Sequence, residues 1–172
     1  SFVLSLGPTV LASALGQDSA LLAGATACVM FLVATGIQFA LAHLTTRSHL
    51  VFSSIAAIAA MTLLMLTVTA WPSPTLFVAV AILAGTAQGL GQLSGLTLIA
   101  TNVPDARRAE GNAALNIAGY IPAALIPVAT GYLIDTTGLA TAIVVFAAVL
   151  TTASVVALTI VRRTPTTREA GR

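Results

Sequence analysis

The stretch "GTAQGLGQLSG", Gly85–Gly95, lies inside an uncharged run from Pro74 to Thr101 that reads as a membrane-spanning helix. Glutamine and closely spaced glycines are poor choices for a helix that meets only lipid. With Gln88 at zero and about 100° per residue, Gln92 falls near 40°, Gly85 near 60°, Gly89 near 100°, Gly95 near −20° and Gly91 near −60°. Leu83, Leu90, Leu93 and Thr86 take the opposite side. The leucine half is expected to face outward, and the Gln/Gly half to face protein or water. An amide left without partners in hydrocarbon costs on the order of several kcal/mol. Two on one face therefore imply a hydrogen-bonded interior or a wet cavity. The glycines form two small-xxx-small pairs, Gly85/Gly89 and Gly91/Gly95, which suit either a close helix contact or a bendable helix.

Composition supports a membrane reading of the whole chain. Charged residues are 7% and hydrophobic ones 58%, whereas a soluble domain has about 25% charged residues. So few charges cannot cover a surface exposed to water. The net charge of +2, without an arginine stripe interleaved with aromatics, speaks against nucleic acid as a partner. The single cysteine, Cys28, excludes an internal disulfide and a Cys-based metal cluster, and reads as a small buried hydrophobe. No metal and no cofactor is expected. No signal peptide is legible: the chain opens "SFVLSLGPTVLASALG", without Met or a basic leader, as though cut through a longer helix.

Polar breaks divide the chain into six spans, 1–16, 20–44, 50–70, 75–101, 112–134 and 139–161, followed by a tail, 162–172. The expected fold is all-α, a polytopic transmembrane six-helix bundle. The arginines test the count. Arg47, Arg107, Arg108, Arg162, Arg163, Arg168 and Arg172 all fall in the second loop, the fourth loop or the tail. An even alternation of six spans puts those three segments on one side, and basic residues are retained on the cytoplasmic side. Trp71 then sits at the outer interface. The first span of each triplet carries breakers, Gly7-Pro8 in one and Gly85–Gly95 in the other, as in inverted repeats of transporters.

The fifth span repeats the two-faced pattern. Asn112, Asn116, Gly119, Tyr120, Ala123, Pro127 and Gly131 share one side, and Ile117, Ile121, Ala124 and Val128 lie opposite. Asn116 and Tyr120 are one turn apart and can meet one ligand. Asn112 is placed to cap the helix, and Pro122 and Pro127 to kink it. Gln38, one turn after Thr35, reads as packing glue. His43 and His49 read as solvated interfacial residues beside Arg47. No Asp, Glu, Lys or Arg lies inside a span, so these residues contain no proton-coupling carboxylate.

The segment "NVPDARRAEGNAALNIAGYIPAALIPVATGYLIDTTG" (102–138) resembles the loop before the eleventh helix of the major facilitator superfamily and that helix with its G-x-L-x-D-x-x-G exit. Here the exit is Gly131, Leu133, Asp135 and Gly138. The basic loop motif after the family's eighth helix survives only as Arg47 in "AHLTTRSHL". The resemblance implies the carboxy-terminal six-helix half of a twelve-helix bacterial transporter, built as a 3+3 inverted repeat. Its missing amino-terminal six-helix half would be a partner, beside membrane lipid and a small-molecule substrate.

These readings converge on a non-enzyme. The expectation is secondary active transport of a small solute across the bacterial cytoplasmic (inner) membrane by alternating access, in the efflux direction. Gln88, Gln92, Asn116 and Tyr120 are the expected substrate-path residues. Gly7, Pro8, Gly85, Gly89, Gly91, Gly95, Pro122 and Pro127 are expected to serve packing or gating, and Arg47, Arg107 and Arg108 to lie in cytoplasmic loops. The alternative is a self-contained six-helix substrate-binding subunit of an uptake complex. An intramembrane serine protease is disfavoured: Ser94-Gly95 is preceded by Gln92 where that site needs glycine, and both histidines come before the serine.

Overall fold

The computed structural model describes residues 7–16 and 19–163. Among these the chain is all helix apart from short connections: α1 (Gly7–Leu15), α2 (Ala20–Ala40), α3 (Thr46–Thr69), α4 (Pro74–Asn102), a 3₁₀ turn (Asp105–Arg107), α5 (Arg108–Thr137) and α6 (Leu139–Arg163). The helices α2 to α6 are each long and apolar enough to cross a membrane. Local chemistry sets their starts. The Ser19 hydroxyl accepts from the Leu22 amide, and that of Thr45 accepts from the Ser48 amide, each filling an orphan donor of a first turn. Pro74 opens α4, where a missing N–H costs nothing. Gly138 adopts a φ of 86° between α5 and α6, a conformation that disfavours any residue with a β-carbon.

Several sequence-based expectations need correction. The helix α3 begins at Thr46, so Arg47 and His49 belong to its first turns and not to the loop. His49 is buried, 3% exposed, rather than solvated. Its Nε2 lies 2.7 Å from the Leu41 carbonyl oxygen, at the C-cap of α2. A carbonyl only accepts, so Nε2 carries the proton, and the ring closes the α2–α3 turn. Cys28 is exposed on α2 instead of buried. Asn112 does not cap α5, which already begins at Arg108, and α5 runs as one helix through Pro122 and Pro127. Of the proposed first span, residues 1–6 lie outside the described residues, as do residues 164–172 of the tail; Gly7 and Pro8 fall within α1.

The core is built from α1 (Val10, Leu11), α2 (Met30), α3 (Ala60, Met61, Leu64), α4 (Phe77, Val80, Ala81) and α6 (Ile143, Phe146, Ala147). Helix α4 sits between α2 and α3, its principal neighbours. This overturns the expectation of an outward leucine face. Leu90 is fully buried and Leu83 packs against the core, because a helix flanked on two sides has no broad lipid face.

Glycine makes that position possible. A β-carbon at Gly85 would land on the Met30 carbonyl oxygen, and one at Gly89 on that of Ala34, so α2 and α4 touch backbone to backbone. On another side of α4 the Ser53 hydroxyl donates to the Ala87 carbonyl at 2.7 Å, and a β-carbon at Gly91 would sit 3.2 Å from the same Ser53 oxygen. Helix α5 is the loose member: Thr130 is its one buried residue among those described, and its contacts with α4 are few.

Gly89→Ala should lower the thermal stability of the purified protein, by about 1–3 kcal/mol, because backbone cannot yield as a flexible side chain would. Gly36→Ala, on the same α2 but with open space around it, should be neutral or stabilising by up to about 1 kcal/mol. Equal shifts in detergent melting curves would contradict the backbone contact.

Candidate functional site

The α2–α4 contact leaves a groove on the side where α5 stands off. It forms a cavity of about 630 Å³, within the range of about 300–1,000 Å³ usual for small-molecule sites. Five helices contribute. Met30, Phe31, Thr35 and Gln38 come from α2, Ala57, Ala60 and Met61 from α3, and Gln88, Gly89 and Gln92 from α4. The α5 wall includes Asn116, Gly119, Tyr120, Ala123 and Pro127, and α6 adds Phe146 and Leu150.

All four substrate-path candidates therefore lie on one cavity. Gln88 and Gln92 are successive turns of α4, between the glycines that meet α2 and the one that meets Ser53. Asn116 and Tyr120 are successive turns of α5. Both faces of α5 are exposed at the bundle's edge: Asn116 and Tyr120 along the open cavity, and Ile117 and Val128 opposite. Of the packing candidates, Gly85 and Gly89 meet α2, Gly91 meets α3, and Gly95 meets α5, where a β-carbon would be 3.0 Å from the Leu115 side chain. Pro122 and Pro127 also border the cavity.

The hydrogen-bond pattern separates this site from the rest of the bundle. Most hydroxyls in the spans donate to the carbonyl one turn back on their own helix, as Thr26, Thr67, Ser94 and Thr130 do at 2.7–2.8 Å. Among the described residues Thr35, Gln92, Asn116 and Tyr120 make no side-chain hydrogen bond to protein. Gln38 spends its Nε2 on the Ala34 carbonyl, 3.0 Å away on its own helix. It is thus not interhelical glue, and its Oε1 is left as an acceptor on the cavity. Thr35 and Gln38 were not assigned to a substrate path from the sequence. Their signal was a polar pair at helical spacing on one face, the same signal that marked Asn116 and Tyr120.

Among the described residues the lining holds no Asp, Glu, Lys, Arg or His. It can offer amide and hydroxyl hydrogen bonds against methionine, phenylalanine and alanine walls. It offers no charge to a formally charged ligand. Among the described residues no cluster of His, Cys, Asp or Glu could hold a metal ion.

A bundle of spanning helices around a mid-span, uncharged, partly polar cavity is the architecture of a solute transporter. The family model of the Major Facilitator Superfamily matches residues 1–172. The chain belongs to this superfamily, a multi-pass membrane family that moves small solutes and is not enzymatic. Neither the curated proteins nor the solved structures give a significant match.

Replacing Gln92 with Leu should leave stability unchanged or raise it by about 1 kcal/mol, because no protein hydrogen bond is lost and an unpaired amide is removed. Ser53→Ala should instead lower stability by about 1 kcal/mol through loss of its bond to α4. Paired melting curves of the two variants check this, and destabilisation by Gln92→Leu would mark the amide as structural.

Proposed function

We propose that this chain forms the carboxy-terminal six-helix half of a twelve-helix bacterial facilitator that carries a neutral or amphipathic small solute. Its arginine-bearing end faces the cytoplasm, and it works by secondary active transport in the efflux direction. Gln88, Gln92, Asn116 and Tyr120 hydrogen-bond the solute, and the apolar walls hold its body.

The observation that carries this reading is the convergence of four polar side chains from two helices on one uncharged cavity. An ionised solute would enter this wall at a desolvation cost with no counter-charge to offset it. A solute with amide, hydroxyl or ether groups exchanges water for Gln and Asn partners at little net cost. The exposed α5 stripe of Ile117, Ile121, Leu125 and Val128 supports a second bundle closing that side of the cavity. Two bundles rocking about the cavity would give each face of the membrane access in turn. The expected residence in a bacterial inner membrane rests on the arginine distribution and on the resemblance of residues 102–138.

The test is transport in cells expressing the protein, scored over a panel of neutral amphipathic fluorescent solutes. Gln92→Ala should raise the half-saturating concentration of a transported solute about fivefold, the worth of one hydrogen bond of about 1 kcal/mol, at unchanged membrane expression. Wild-type transport by this variant would sink the site assignment. Faster accumulation in cells expressing the wild-type protein than in cells lacking it would reverse the efflux direction.

A further inference from the structure

The arginines of this chain form two groups that differ in how their charge is met. The α4–α5 connection is self-neutralising: Arg107 pairs with Glu110 at 2.9 Å and Arg108 with Asp105 at 2.8 Å. Among the described residues the second group has no carboxylate partner. The Arg47 Nη2 donates to the Arg162 carbonyl at 3.0 Å, which brings the first turn of α3 to the last turn of α6. Arg47, Arg162 and Arg163 are all exposed there. Among the described residues the remaining acid is Asp135, near the far end of α5. A helix of its length, 30 residues, spans about 45 Å, so Asp135 cannot reach them.

The surface leading up to these arginines is apolar and narrow. At about 100° per residue, Val145, Val149, Val156, Ile160 and Arg163 fall within roughly 60° of one another on α6. Those four aliphatic residues are between 44% and 60% exposed, and Ile143, Phe146 and Ala147 on the other side are buried. The stripe runs up the helix and ends on an uncompensated guanidinium, with two more alongside.

We propose that Arg47, Arg162 and Arg163 form a binding site for an anionic phospholipid, its phosphate on the arginines and an acyl chain along the α6 stripe. The helix C-terminus accounts for part of the charge, since its free carbonyls favour cations; Arg47 already answers one of those carbonyls through its own guanidinium. Among the described residues three positive charges gather at one edge of the bundle with no acid beside them. Guanidinium is matched in geometry to phosphate oxygens, and an acyl chain needs an exposed apolar track beside it. A soluble phosphate would use the arginines and ignore the stripe.

The experiment is native mass spectrometry of the purified full chain equilibrated with equal amounts of phosphatidylglycerol and phosphatidylcholine. Wild type should retain phosphatidylglycerol preferentially. Each arginine removed from the Arg47/Arg162/Arg163 group should weaken retention about fivefold, and Arg107→Gln with Arg108→Gln should leave it unchanged. Arg163→Gln is the variant to make first, because among the described residues its guanidinium makes no hydrogen bond or ion pair, so its loss should not disturb folding. Equal retention of the two lipids, or undiminished phosphatidylglycerol on Arg163→Gln and on the triple variant, would overturn the site. Displacement of the lipid by a large excess of inorganic phosphate would overturn the lipid as occupant and assign the arginines to a soluble anion.

Discussion

The approach of α4 to α2 at Gly85 and Gly89 is the constraint on which the rest of the bundle depends. Where α4 meets the α2 backbone at Met30 and Ala34, α4 itself can carry no side chain at the crossing, and dispersion between close-packed main-chain atoms replaces side-chain interdigitation. The crossing fixes α4 as the central helix, with α3 on its other flank through the Ser53–Ala87 bond. Residues just off the crossing, Gln88 and Gln92 on α4 and Thr35 and Gln38 on α2, are then turned into the adjoining groove. A larger residue at Gly89 would separate the two helices and disperse that polar cluster.

The cavity is polar without being charged, and this shapes the chemistry available to it. Elsewhere in the spans the chain hides polarity by folding hydroxyls back on their own helix, which satisfies the donor at the cost of a slightly strained turn. Along the cavity, the Gln38 amide bonds back to its own helix, while Gln92, Asn116 and Tyr120 make no side-chain hydrogen bond among the described residues. The loose seating of α5 belongs to the same design. Helix α5 meets α4 through few contacts, whereas α3 packs closely on it.

Much of this was legible in the sequence, and the failures have a common cause. Polar breaks and hydropathy locate the five long helices α2 to α6, because a lipid-spanning helix needs a long apolar run. The two-faced pattern of α5 puts Asn116 and Tyr120 along the cavity, but both remain exposed, Tyr120 as much as Val128, so periodicity marks a face without marking burial. On α4 the same logic misplaced Leu90, since a central helix meets protein on both sides and periodicity alone cannot tell protein from lipid. Cys28 and His49 failed in mirror image. Residue type suggested a buried thiol and a wet imidazole, and tertiary position gave an exposed thiol and an imidazole bonded to the end of α2. The boundaries slipped where Thr45 moved the start of α3 earlier, a capping signal passed over in favour of hydropathy.

The central claim, that water and solute reach the middle of the bundle along α4 and α5, is tested most directly by cysteine accessibility. In a Cys28→Ser background, single cysteines at Gln92, Asn116 and Tyr120 would be exposed to a small water-soluble thiol reagent in intact membranes. A cysteine at Leu90, fully buried, and one at Val149, mid-helix on the exposed α6 stripe, serve as dry references. Labelling of the three cavity positions with both references unreactive is the expected result. Unreactive cavity positions beside a correctly inserted protein would show the polar groups to be sealed in a packed interior, and the solute path would have to be sought elsewhere.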